Sequence, residues 1–212
     1  HEKLTYENIT HAKELSIYLE QGNKVLDALG YTDHSQKHTA KVAVTAGRIL
    51  KKLGYDEHTV ELARIAGYMH DIGNSINRVD HAHTGASWPS SSSATGALRR
   101  KILPPSFRPS ASMTSTAARL LIHFGSLILA DKSDVRRNRV RNKVPETFDK
   151  HDRVNYAALS SKLHIDRHKN VIRLEIELDE SICSLMDYFE IFMQRMLMCK
   201  RAAKVLAAVQ IS

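Results

Sequence analysis

A mainly α-helical fold with one small β-hairpin and a long final helix is what this sequence predicts, on three observations. Apolar residues recur at helical spacing through most of the chain. Gly30, Gly54 and the N-capping type Asp56 stand where those runs should stop and start. The period changes to alternation between Lys162 and Leu178. At 212 residues and 42% apolar content the chain can bury a real core. The expected division is a helical domain over residues 1–150 and a hairpin-plus-helix appendage over 151–212.

Taken in order, residues 8–29 read as a helix stopped by Gly30. Residues 35–53 place Val42, Ala43, Ala46, Ile49, Leu50 and Leu53 on one helical face, and Gly54 ends that run. Asp56 caps a helix that turns Val60, Ala63, Ile65 and Ala66 inward. Residues 126–143 begin apolar and end basic, as a helix does near its C-terminus. Residues 152–161 form a short helix. A hairpin over 162–178 turns at "RHKN". The last helix, 180–206, lines up Ile182, Leu185, Met186, Phe189, Phe192, Met193, Met196 and Leu197. Core packing is the first reading of that stripe and a homodimer seam the second.

Residues 87–124 depart from this pattern. They hold four of the five prolines, a run of serines and the only Trp. A loop of that length is out of place inside a compact domain. A shifted reading frame accounts for it: permitted codons restore an apolar helix from "ASWPSSSSATGAL" and His-Asp-Glu-His from "SMTST". The net charge of +8 and pI near 9.5 point at first to nucleic acid. Five of the basic residues (Arg99, Arg100, Lys101, Arg108 and Arg119) fall in this acid-free window, and without them the balance is about +3. Aromatics are 6% and do not interleave with the basic residues, which argues against a nucleic-acid partner. No run has the length of a membrane span, and Cys183 and Cys199 are too few and too far apart for a disulfide framework. A cytoplasmic location is therefore expected.

The chemistry concentrates at "YMHDIGN", residues 68–74. His70 and Asp71 are adjacent and cannot share a helix face. At a helix end, however, both can reach one point, and a nitrogen with a carboxylate oxygen suits Mn, Fe, Zn or Ni. His38 lies on the inner side of the helix at 35–53, and Asp131 closes the apolar run "LILAD". A metal would explain all four polar side chains at the ends of buried faces, because buried charge is costly unless paired or metal-bound.

"KHTAKVA", "MHDIGN" and "LILADKSDVRR" resemble the motifs of the HD-domain superfamily of metal-dependent phosphohydrolases. The similarity runs from about residue 34 to 140. It implies an HD-type helical bundle and a divalent ion (Mn, Fe, Ni, Zn or Mg) held by His38, His70, Asp71 and Asp131. "DHAHTGA" is similar to an H-x-x-x-G-A element of two-metal branches, which implies His81 as a ligand to a second metal, with His83 close by. "ADKSDVRR" resembles an "AD-x-x-E-x-x-R" element, with Asp134 in place of the Glu and Arg137 in place of the Arg. Asn74 stands where cyclic-dinucleotide phosphodiesterases have Lys, so the resemblance leaves the substrate open.

The activity implied is hydrolysis of a phosphate ester or anhydride of a small, nucleotide-like substrate by metal-activated water. Asp71, Lys132, Asp134 and Arg137 are the expected catalytic residues. Lys132, Arg136 and Arg137 follow Asp131 closely enough to meet phosphate oxygens, and Lys41 and Arg78 are further candidates. The alternative is a catalytically impaired HD-fold regulator that binds metal or nucleotide without turnover.

Overall fold

The computed structural model describes residues 5–28, 33–72 and 112–210. Seven α-helices and a two-stranded antiparallel hairpin make up those residues: α1 (Tyr6–Thr10), α2 (Lys13–Ala28), α3 (Gln36–Leu53), α4 (Glu57–Met69), α5 (Ser112–Lys132), α6 (Lys150–Ala157), β1 (Ala158–Asp166), β2 (Val171–Leu178) and α7 (Leu185–Gln210).

Local chemistry sets the ends of α3 and α4. Gly54 ends α3 in the left-handed region at φ 87°. The Tyr55 N–H donates to the Leu50 carbonyl and the Gly54 N–H to that of Lys51, a Schellman closure. Asp56 accepts from the Thr59 N–H at 3.0 Å and starts α4. The apolar face read from the sequence is the buried one: Val42, Ala43, Ala46, Ile49 and Leu50 have no solvent exposure. Each large member of that face contributes roughly 1.5–3 kcal/mol by burial.

The two helices touch backbone to backbone. A Cβ at Gly67 would lie 2.7 Å from the Ala43 Cα, so only glycine permits this crossing. The contact brings the start of α3, with His38, beside the end of α4, with His70. Helix α5 completes the layer: Ile122, Leu129 and Ala130 join Val42, Ala46, Ile49 and Leu50 in one cluster. Cys199, Ala202 and Leu206 of α7 enter the same cluster from the other side of α5. Leu163, Ile165 and Ile172 lay one face of the hairpin on it. No helix among the described residues is long and apolar enough to cross a membrane.

Several boundaries differ from the sequence reading. The helix expected over 8–29 is broken at His11 and Ala12 into α1 and α2. The helix expected over 126–143 begins at Ser112 and stops at Lys132. Its expected basic end leaves the helix because the Arg139 guanidinium finds tertiary acceptors, the carbonyls of Asp33 at 2.9 Å and Asp134 at 2.9 Å. The helix expected over 152–161 ends at Ala157, and residues 158–161 join β1 opposite β2. The last helix starts at Leu185, after a turn in which the Ile182 and Cys183 N–H groups donate to the Asp179 carbonyl. Its apolar stripe is the largest correction. Met186 is 76% exposed and Met193 47%, whereas the buried line runs Tyr188, Phe192, Cys199, Ala202 and Leu206. This helix is apolar on more than one face, and the position of α5 chooses between them. Within the anomalous window, residues 87–111 lie outside the described residues, as does the helix expected after His81.

Candidate metal centre

His38 sits in the first turn of α3 and is fully buried. Its Nδ1 lies 2.8 Å from Asp134 Oδ2, so Nδ1 carries the proton and Nε2 presents a lone pair. His70 caps the C-terminal end of α4, and its Nδ1–H donates to the Gly67 carbonyl at 2.8 Å. Its Nε2 is likewise turned to the centre. Asp71 follows directly, and Asp131 comes from the last turn of α5.

The four side chains converge. His38 Nε2 lies 3.4 Å from Asp131 Oδ1 and 3.9 Å from Asp71 Oδ2. His70 Nε2 lies 3.3 Å from Asp71 Oδ2 and 3.9 Å from Asp131 Oδ1. Donors around one ion with bonds of about 2.1 Å stand about 3–4.2 Å apart, and His38, His70 and Asp131 lie close enough together to share one cation. One atom makes the argument sharper. His38 Nε2 is buried and has no hydrogen-bond partner. A lone pair aimed at two carboxylate oxygens is unfavourable unless a cation stands between them. The donor set therefore fits a divalent ion, with imidazole and carboxylate ligands of the kind Mn, Fe, Ni and Zn accept.

The charges agree with that geometry. Burial pushes the Asp71 carboxyl up, but His70 and His34 outweigh it and hold it well below the usual carboxylate range. Burial acts on Asp131 in the same way and is overcome by His38, His70 and Lys132. Burial disfavours the His70 imidazolium, yet Asp71 and Asp131 lift its pKa to about 9.

Asp134 lies behind His38 and is buried. Its Oδ2 accepts from His38 Nδ1 and from Arg136 Nη2 at 2.9 Å, and Lys41 Nζ approaches Oδ1 to 2.7 Å. This is a carboxylate that fixes the tautomer of a candidate ligand. Burial pushes its carboxyl up, but His38, Arg136, Arg139 and Lys41 hold it far below its ordinary value. Lys132 Nζ pairs with Asp131 Oδ2 at 2.7 Å. Arg137 is not brought to this cluster. Its Nε donates to the Tyr156 carbonyl at 2.6 Å, its Nη2 to Asp179 at 3.2 Å, and its guanidinium lies over the Tyr156 ring. His81, with His83 and Arg78, lies outside the described residues.

Sequence reasoning missed His34. Its Nδ1 is 2.6 Å from Asp71 Oδ2. Burial, with Arg139 and His38, lowers its pKa by more than Asp71 raises it, so the contact is a hydrogen bond from a neutral imidazole rather than an ion pair. His34, His38 and Asp71 form a second triplet of metal-competent groups, overlapping that of His38, His70 and Asp131. The available signal was nearness in sequence alone: His34 stands four residues before His38, just ahead of α3.

Residues 36–97 match the HD domain family. An uncharacterized protein of Methanocaldococcus jannaschii is 30% identical over 98 residues, which are 39% of this chain and 38% of that protein. The chain therefore spans well under half of that relative's length. No solved structure matches the chain. Residues 36–97, the segment that holds His38, His70 and Asp71, are therefore similar to the HD domain, and α5 brings Asp131 against those three side chains.

Proposed function

We propose that this chain hydrolyses a phosphate ester or anhydride of a small, nucleotide-like substrate, using a divalent ion held by His38, His70, Asp71 and Asp131. The observation that carries the reading is the buried, unpartnered Nε2 of His38 aimed at the Asp71 and Asp131 carboxylates. When bound, the ion supplies Lewis acidity, making a water more acidic and offsetting charge on a phosphoryl oxygen.

The remaining work falls to the chain's own groups. Asp134 keeps the proton of His38 on Nδ1 and so keeps Nε2 available. His34 donates to Asp71 Oδ2 and orients that carboxylate. Lys132 pairs with Asp131 Oδ2 and steadies that carboxylate. A cleft of about 740 Å³ is lined by the cations Lys37, Arg136 and Arg139 together with the carboxylates Glu20 and Asp33. The cysteine usage favours a reducing cytoplasm.

Phosphate release from a panel of nucleotides tests the reading. Chelation should abolish it, and Mn or Fe should restore it. Turnover that is undiminished in Asp71→Ala refutes it. A second reading is favoured by Arg137, which Tyr156 and Asp179 hold away from the cluster. On that reading the protein binds metal and nucleotide as a regulator. Tight nucleotide binding without product under any of the five metals would select it.

A further inference from the structure

The last helix carries a guanidinium that the cluster above does not employ. Arg195 projects from α7, with its Cζ 4.2 Å from the Phe192 ring centroid. Its Nη1 is buried and lacks a hydrogen-bond partner. A buried charged donor with no acceptor is costly, so such a group is kept where something else satisfies it.

Packing on either side locates this side chain. Phe192, three residues before it, lies in one cluster with Val135. Cys199, one turn after it, lies in another with Leu129 and Ala130. Between Ala130 and Val135 the chain carries Asp131, Lys132, Ser133 and Asp134. Arg195 is thereby held opposite the residues that close the candidate metal centre. Burial pushes its guanidinium below its ordinary value, Asp131 is the largest influence countering that, and Arg139 repels it. The neighbouring cations are occupied: Lys132 by Asp131, Lys41 and Arg136 by Asp134, and Arg137 by Asp179.

We propose that Arg195 is the phosphate-binding residue of this centre, so that the C-terminal helix completes a site whose other groups come from residues 34–139. The proposal rests on the phosphohydrolase reading above. A planar guanidinium presents paired N–H donors that match two phosphate oxygens, which an ammonium cannot do. Held over Phe192, it loses little freedom when the anion arrives.

The test uses the full chain with Mn and inorganic phosphate. Calorimetry should show phosphate binding to the Mn-loaded wild type, with affinity at least tenfold weaker in Arg195→Gln and intermediate in Arg195→Lys. Mn affinity, read by electron paramagnetic resonance, should stay within twofold in both variants. Undiminished phosphate affinity in Arg195→Gln, or a parallel loss of Mn affinity, overturns the proposal. Wild-type protein supplies a check that does not depend on the variants folding: phosphate should protect Arg195 from phenylglyoxal, as mapped by mass spectrometry. Labelling unaffected by phosphate likewise overturns it. If the wild type binds no Mn, the phosphohydrolase reading fails. Protection measured without metal then still decides whether Arg195 takes an anion.

Discussion

Titration of His70 gives the most direct quantitative test of the metal centre. In the metal-free protein burial opposes the imidazolium, but Asp71 Oδ2 at 3.3 Å and Asp131 Oδ1 at 3.9 Å lift its pKa to about 9. A ligating imidazole must surrender the Nε2 proton, so binding and deprotonation are linked. At pH 7 binding should expel about one proton, and affinity should rise about tenfold per pH unit, roughly thirtyfold between pH 7 and 8.5. Calorimetric titration with Mn, repeated in two buffers of different ionisation enthalpy, measures both quantities. No proton release at pH 7, or affinity flat over that interval, would refute the reasoning. The same shift has a stability consequence for the metal-free protein. The folded pKa lies above the ordinary value of 6.5, so the contribution is fully present below that pH. It is lost as pH rises from 6.5 to about 9, amounting to about 3 kcal/mol. Urea unfolding at pH 6 and pH 9.5 reads this change.

Four substitutions extend the test. Asp134→Asn keeps an acceptor for His38 Nδ1 but removes the charge that Lys41 and Arg136 share. Metal affinity should fall about 10–100-fold. Urea unfolding should show a loss of about 2–3 kcal/mol, less than a fully buried pair would cost because Lys41 and Arg136 reach solvent. His34→Ala should weaken Mn binding about tenfold through the freed Asp71 carboxylate, with little change in melting temperature. Gly67→Ala forces a Cβ to 2.7 Å from the Ala43 Cα and should destabilise the protein by about 1–3 kcal/mol, read by chemical denaturation. Arg137→Ala should leave Mn affinity unchanged and lower the melting temperature by a few degrees, because its bonds go to Tyr156 and Asp179.

Legibility differed between local and distant features. The inner faces of α3 and α4 could be read because each helix buries one contiguous stripe at helical spacing. The caps Gly54 and Asp56 could be read because a left-handed residue and a side-chain acceptor are local requirements. His38, His70, Asp71 and Asp131 stood out as polar groups at the ends of buried runs. His34 did not, since it precedes the helix and its partner Asp71 is 37 residues away. The exposed side of α7 was misjudged because a helix apolar on several faces carries no internal mark of which one meets a neighbour.

By itself the sequence determined the helical character, the hairpin, the turns between them and the residue types able to hold a cation. These follow from backbone propensity and side-chain periodicity within a few turns of chain. Only the tertiary structure decided which basic side chains face the cluster. Arg137 and Arg195 differ little as letters, yet one is bound by Tyr156 and Asp179 and the other lies over the Phe192 ring with a buried Nη1 that has no hydrogen-bond partner. The physical reason is that a long charged side chain can satisfy itself on any acceptor within reach. Which acceptor that is depends on how helices far apart in the chain pack together.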